Sequence, residues 1–151
     1  MNIIRKNLLK IIAVLCFVIV FLLYKVSCEK NVLQKNMDFI FTNSISDAAG
    51  GLSKDYDQMD SVQIIQCYDQ TLYNLYDAQE VFYQTSYKKY DDLFYTLNRI
   101  YFYIMDHHSE RYEIENQGRI YEFLTKVICY PEDDQLIDDF NRFLDSQTLK
   151  R

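Results

Sequence analysis

The stretch Tyr87–His108, YKKYDDLFYTLNRIYFYIMDHH, has the most regular apolar pattern in the chain. Alternating steps of three and four separate Tyr87, Tyr90, Phe94, Leu97, Tyr101, Ile104 and His108. This spacing aligns side chains along one side of an α-helix, as in the seam of a helical bundle. Leu93, Ile100 and Met105 widen the stripe, which predicts a central helix that packs on more than one side.

Residues that break helices are scarce. The 151 residues include only three Gly and one Pro. An all-β domain of this length would need many more turn residues. The composition therefore favours an all-α fold with long helices.

Helices are predicted on both sides of the central one. An earlier helix is expected to end at Gly50-Gly51, because Gly favours the left-handed C-terminal cap. Ser53 is a candidate N-cap for a helix that runs to about Gln84. Its predicted apolar stripe is Met59, Val62, Ile65, Tyr68, Leu72, Leu75 and Phe82.

Two further helices are predicted after the central one. Ser109 is expected to cap a helix that contains Tyr112 and Ile114 and ends before Pro131, since the residue before Pro disfavours helix. Pro131 then lies in the first turn of a last helix. The sum is a bundle of four or five helices that follows an N-terminal apolar helix.

That apolar helix contains Ile11–Tyr24, IIAVLCFVIVFLLY, preceded by Arg5, Lys6 and Lys10. A basic start before an apolar centre is typical of an export signal. Fourteen helical residues span roughly 21 Å, less than the roughly 30 Å of a hydrocarbon core. Flanking apolar residues extend the run to Leu8–Val26, which is long enough to span if the lysine amines reach the interfaces.

Cleavage signals after this segment are weak. A cut after Ser27 would place Lys25 where a small residue is preferred, and a cut after Cys28 would place Val26 there. Lys25, three residues before Cys28, also disfavours lipidation. The sequence therefore favours an uncleaved anchor over a cleaved signal, and both over a buried helix of a soluble protein.

Charge predicts the orientation of the chain. Positive charge beside an apolar segment stays cytoplasmic. We therefore expect a basic cytoplasmic segment at 1–7, a membrane anchor or signal at 8–26 and an acidic extracytoplasmic domain at 27–151. All 22 Asp and Glu follow Cys28 with 12 of the 16 Lys and Arg, a net charge of −10. Such a domain repels phosphate backbones, so no nucleic acid is expected, whereas cationic partners are compatible with it.

Tyrosine is abundant, with 14 residues. Tyr73, Tyr83, Tyr95 and Tyr103 lie off the predicted core stripes, and amphipathic aromatics on an outer face favour protein contacts. These four are the candidate partner-binding residues. The alternative is that another part of the bundle covers them.

Cys67 and Cys129 are candidates for a disulfide, because thiols outside the cytoplasm can pair. Two unpaired, buried thiols are the alternative.

Asp106, His107 and Glu110 are weak candidates for a metal site, since residues three or four apart share a helix face. A helix end stabilised by imidazolium is the simpler interpretation. Phosphate-binding loops and the serine-hydrolase elbow are absent, so we predict no catalytic residue and no cofactor.

The sequence thus predicts a membrane-tethered extracytoplasmic helical protein that binds another protein, as an accessory subunit of an envelope complex. The alternative is a secreted helical ligand or effector released by signal cleavage. A second alternative is a weak metal-binding protein or enzyme centred on Asp106–Glu110. Self-association is left open.

Overall fold

The structure is a computed structural model that describes residues 2–148, with side chains described from residue 14 to residue 147. Helices account for all its regular elements, which confirms the predicted all-α fold. The α-helices are α1 (Asn2–Leu52), α2 (Ser61–Val81), α3 (Asp91–Asp106), α4 (Gln117–Cys129) and α5 (Asp134–Thr148). Short 3₁₀ helices span Tyr56–Gln58, Phe82–Gln84 and Ser86–Lys89.

The chain divides into two units, Met1–Asn36 and Met37–Arg151. The described residues of the first unit all belong to α1, and their described side chains are exposed except for the half-buried Gln34. Within the described residues, no helix combines the length and the apolar character that a membrane crossing requires. Residues 1–7 and the first part of the predicted segment Leu8–Val26, residues 8–13, lie outside the described side chains. The anchor stays a prediction from the sequence.

The second unit is built around α3, as predicted. This helix packs against α2 and α5, and α4 packs against α5. Its fully buried apolar residues are Leu93, Leu97, Ile100 and Ile104. They join a core that also includes Phe41, Ile45, Leu75, Phe82, Ile120, Leu124 and Phe140.

The start of α2 differs from the prediction. Asp60 is its N-cap: the Asp60 carboxylate accepts from Gln63 N at 2.9 Å, and Gln63 Oε1 accepts from Asp60 N at 3.0 Å. This reciprocal pair satisfies donors that the first turn leaves free. Ser53 caps nothing; its hydroxyl donates to the Gly50 carbonyl at 2.9 Å.

The predicted stripe of α2 is wrong in part. Val62 is 63% exposed and Ile65 is 38% exposed, whereas Ile64, Cys67 and Thr71 are buried. Successive helical residues point about 100° apart, so a shift of one residue moves a side chain off the core.

The segment after α3 also differs, because no helix forms around Tyr112 and Ile114. The Ser109 hydroxyl accepts from Arg111 N and Glu113 N, both at 3.1 Å, and closes a turn. Tyr112 and Asn116 have left-handed φ values of 64° and 55°, which interrupt a right-handed helix.

The boundary at Pro131 is partly as predicted. The preceding helix, α4, ends at Cys129 before the proline, as expected. The last helix, α5, starts at Asp134, three residues later than the prediction. The Asp133 carboxylate accepts from Leu136 N at 3.0 Å in its first turn.

The Gly50-Gly51 pair does not end α1. The helix continues to Leu52, and no described glycine has a positive φ. A Cβ at Gly51 would instead overlap Thr71 Oγ1 and lie 3.2 Å from the Cys67 carbonyl oxygen. Gly51 therefore lets the end of α1 approach α2 closely.

We expect Gly51→Ala to lower the free energy of unfolding by about 1–3 kcal/mol, because the added methyl overpacks the contact with Thr71. Urea unfolding of the full chain in mild detergent, followed by far-ultraviolet circular dichroism, measures the change. Gly50→Ala is the control: a Cβ there meets nothing within 4 Å. We expect it to be neutral or to stabilise by up to about 1 kcal/mol. Equal effects at the two positions would contradict this packing.

Candidate functional site

One apolar stripe of α2 lies at the edge of the core: Leu72 packs against the core, and the other three residues are exposed. Its residues follow at intervals of seven, four and seven: Ile65, Leu72, Tyr76 and Tyr83. Residues at these intervals lie within about 40° of one another around an α-helix. Tyr83 lies in the 3₁₀ turn that directly follows α2. Tyr76 is 50% exposed and Tyr83 is 57% exposed, so the stripe faces solvent.

A matching stripe on α3 lies beside it. Phe94, Tyr101 and Met105 follow at intervals of seven and four. The rings of Tyr83 and Phe94 are 4.9 Å apart, centroid to centroid. Phe94 and Tyr101 are half-buried, and Met105 is 43% exposed. We call the seven residues of the two stripes the α2–α3 face.

Tyr76 lies near the middle of the α2–α3 face. Its pKa is raised above the ordinary value, chiefly by the hydrogen bond with Glu80 and by that carboxylate's charge, with a smaller contribution from Tyr101. The Tyr76 phenol therefore interacts with the Glu80 carboxylate on its own helix and lies close enough to Tyr101 on α3 to sense its charge. The phenol stays protonated at neutral pH and can donate a hydrogen bond.

Acidic side chains border the α2 stripe. Asp69 and Glu80 are exposed on α2, on the side of the stripe away from α3. Among the residues with described side chains, neither lies within ion-pair distance of a Lys or Arg. The face therefore combines an apolar strip with an acidic border.

Exposed aromatic residues also continue beyond the face on α3. Tyr95 is 58% exposed and Phe102 is 54% exposed. The guanidinium of Arg99 lies 5.7 Å from the centroid of the Tyr95 ring. Arg99 also donates to Asn141 Oδ1 and forms an ion pair with Asp145, so α5 holds its charge.

The structure separates the four candidate partner-binding tyrosines. Tyr83 belongs to the α2–α3 face, and Tyr95 lies next to it. Tyr73 is 66% exposed on the side of α2 opposite the core. Tyr103 is in the core instead, where its hydroxyl accepts from Asn116 Nδ2 at 2.7 Å. A contact role for the three exposed tyrosines stays a prediction.

Sequence reasoning missed Tyr76 and assigned Ile65 and Met105, which are exposed, to core stripes. Its assignment of Leu72 and Tyr101 is confirmed, because both pack against the core. The errors in α2 arise because its apolar pattern contains two stripes, and only the burial of Ile64 and Thr71 shows which one faces inward. The repeated seven-four interval on two neighbouring helices is the signal that could have identified the face.

The candidate metal residues are not brought together as the sequence suggested. The helix ends at Asp106, so the helical spacing that would align Asp106 and His107 with Glu110 is lost. His107 Nδ1 donates to the Tyr103 carbonyl at 3.1 Å, and its ring stacks on Tyr103 at 4.1 Å. Within the described residues, no group of three or more His, Cys, Asp or Glu side chains could hold a metal ion.

The second histidine is used in packing. His108 stacks on Tyr112 with a centroid separation of 5.0 Å and meets Tyr68 edge-on at 5.1 Å. Its Nδ1 donates to the Ser109 carbonyl at 2.9 Å. These contacts join the loop after α3 to α2.

Cys67 and Cys129 are free thiols in different surroundings, so the predicted disulfide is not formed. Cys67 is buried in a small cluster with Tyr56, Ile64 and the half-buried Met59. Burial raises the pKa of the Tyr56 phenol in this cluster. Cys129 is exposed at the last residue of α4. The alternative of two buried thiols holds for Cys67 only.

We expect alkylation of the native full chain in mild detergent to modify Cys129 rapidly and Cys67 only after unfolding, because a buried thiol is shielded from reagent. Mass spectrometry of peptides, with and without urea, measures the two rates. Detection of a linked Cys67–Cys129 peptide, or equal labelling of both thiols in the native chain, would refute this arrangement.

Comparison with known proteins gives no relative for the chain. No protein-family model matches the sequence, and neither the curated proteins nor the solved structures contain a match.

Proposed function

We propose that this protein is a membrane-tethered, extracytoplasmic helical protein that acts by binding another protein, as an accessory subunit of an envelope complex. The α2–α3 face is the observation that carries this proposal. Its exposed aromatic and aliphatic side chains extend over about 18 residues of helix, roughly 27 Å. Contiguous apolar surface of this kind marks interaction sites.

The chemistry of the α2–α3 face suits a protein partner. A tyrosine presents a large, rigid contact area with few rotatable bonds, and its hydroxyl can still bond water when no partner is present. Tyr76 and Tyr83 are about half exposed, so about half of each side chain remains available for burial. Aromatic residues of this type are enriched where interfaces bury their central contacts.

The tether is proposed from the N-terminal sequence. Arg5, Lys6 and Lys10 precede the apolar run, and every acidic residue follows it. Positive charge on the cytoplasmic side would place the bundle outside. Release by signal cleavage is the alternative, and the short uncharged core of about 21 Å favours it.

We expect the native protein to sediment with membranes as the intact 151-residue chain. An uncleaved apolar anchor would hold it there, and washing with salt or carbonate would not release it. Mass spectrometry of the membrane and soluble fractions tests both points. A soluble species that lacks about the first 28 residues would favour the secreted alternative and refute the tether.

We expect the double substitution Tyr76→Ala/Tyr83→Ala to weaken partner binding by at least about tenfold, because aromatic contacts at an interface centre often contribute 2 kcal/mol or more. Chemical crosslinking of the full chain in native membranes, followed by quantification of the crosslinked complex, measures the loss.

The matched control is Tyr121→Ala/Tyr130→Ala, which removes two exposed tyrosines outside the α2–α3 face. We expect it to leave the complex unchanged. Circular dichroism confirms that both variants remain helical. Equal losses in the two variants, or none in either, would refute the assignment of partner binding to this face.

A further inference from the structure

We infer that the segment that occupies the α2–α3 face is a basic amphipathic helix of a partner protein. This inference rests on the proposed function and goes further by naming the chemistry of the partner. Shape and charge support it separately.

The shape of the face suits a helix. The stripes of α2 and α3 lie side by side on two directly packed helices, and the short gap between Tyr83 and Phe94 shows where they meet. The long axis of the strip follows the helices. An amphipathic helix placed along such a strip would bury anchors spaced by three, four and seven residues.

The negative charge at the border of the face favours a partner that carries positive charge. Asp69 and Glu80 border the stripe. Neither forms an ion pair with a Lys or Arg among the described side chains. Lys or Arg on the rim of a docked helix would give these carboxylates opposite charges at close range.

The same charges disfavour other occupants. A second copy that docked through the same face would place Asp69 and Glu80 against like charges, which costs affinity. Anionic headgroups would meet a domain with a net charge of −10 beyond Cys28. A basic protein segment avoids both penalties.

Photo-crosslinking identifies the occupant. The photoreactive residue p-benzoylphenylalanine replaces Tyr76 in the full chain in native cells, and a second chain carries it at Tyr130, exposed after α4. Mass spectrometry locates the attached residue on the partner. We expect Tyr76 to capture a helical segment with an excess of Lys and Arg. The yield in isolated membranes should fall when NaCl rises from about 0.05 M to about 0.5 M, because salt screens exposed charges.

Charge variants test the rim separately from the apolar strip. In the Tyr76-crosslinking chain, Asp69→Asn/Glu80→Gln should reduce the yield roughly two- to tenfold, the sum expected for two exposed ion pairs. The control Glu132→Gln/Asp138→Asn removes the same charge from two exposed positions outside the face. It should leave the yield unchanged.

The outcomes separate the inference from the proposed function. Three outcomes would overturn the basic helix but leave the proposal of protein binding intact. They are capture of a second copy, capture of a neutral or acidic protein segment, and a yield that changes neither with salt nor in the Asp69→Asn/Glu80→Gln variant. Capture of lipid alone, or no protein captured at Tyr76 above the level at Tyr130, overturns the proposed function together with the inference.

Discussion

The burial of α3 between α2 and α5 is the constraint on which the bundle depends. Leu97, Ile100 and Ile104 lose all contact with solvent there. Apolar packing alone tolerates small slips along a helix, so the polar contacts between α3 and α5 fix the register. Asn141 Nδ2 donates to Thr96 Oγ1 at 2.8 Å, while its Oδ1 accepts from Arg99 at 2.8 Å. A slip by one residue would leave these partly buried groups unsatisfied, which costs more than the bonds contribute.

The fixed position of α3 determines which side chains of α2 remain exposed to solvent. At Gly51, α1 approaches α2 closely, on the side of α2 where Thr71 is buried. Ile64 is buried too, so the remaining side of α2 must face solvent. Tyr76 and Tyr83 are therefore exposed because the inner positions are already filled. The core is complete without them, so we expect that substitution of these two tyrosines does not unfold the bundle. Tyr76 and Tyr83 can thus be presented to solvent, whereas Leu72, Phe94 and Tyr101 of the same face pack against the core.

The sequence was sufficient for the fold class and for some helix boundaries. With three glycines and one proline, the sequence has too few turn residues for a fold rich in turns, which favours helices. Pro131 ends the helix before it, as expected. Serine was a poor guide, because its hydroxyl bonds nearby backbone inside and outside helices. Ser53 and Ser109 both do so without starting an α-helix. The exposed tyrosines were only partly predictable, since Tyr103 becomes a core residue through Asn116, a partner that no periodicity identifies.

Tyrosine and carboxylate side chains together let the bundle expose an apolar strip and keep that strip hydrated. Leucine at positions 76 and 83 would offer similar area but no group for water to bond, whereas a phenol keeps its hydroxyl hydrated. The carboxylates of Asp69 and Glu80 add repulsion between copies at this strip. Under the proposed function, the same few side chains would attract a complementary partner and repel a second copy. Specificity of this kind requires both attraction to the correct partner and repulsion of other partners, since buried area alone does not distinguish them.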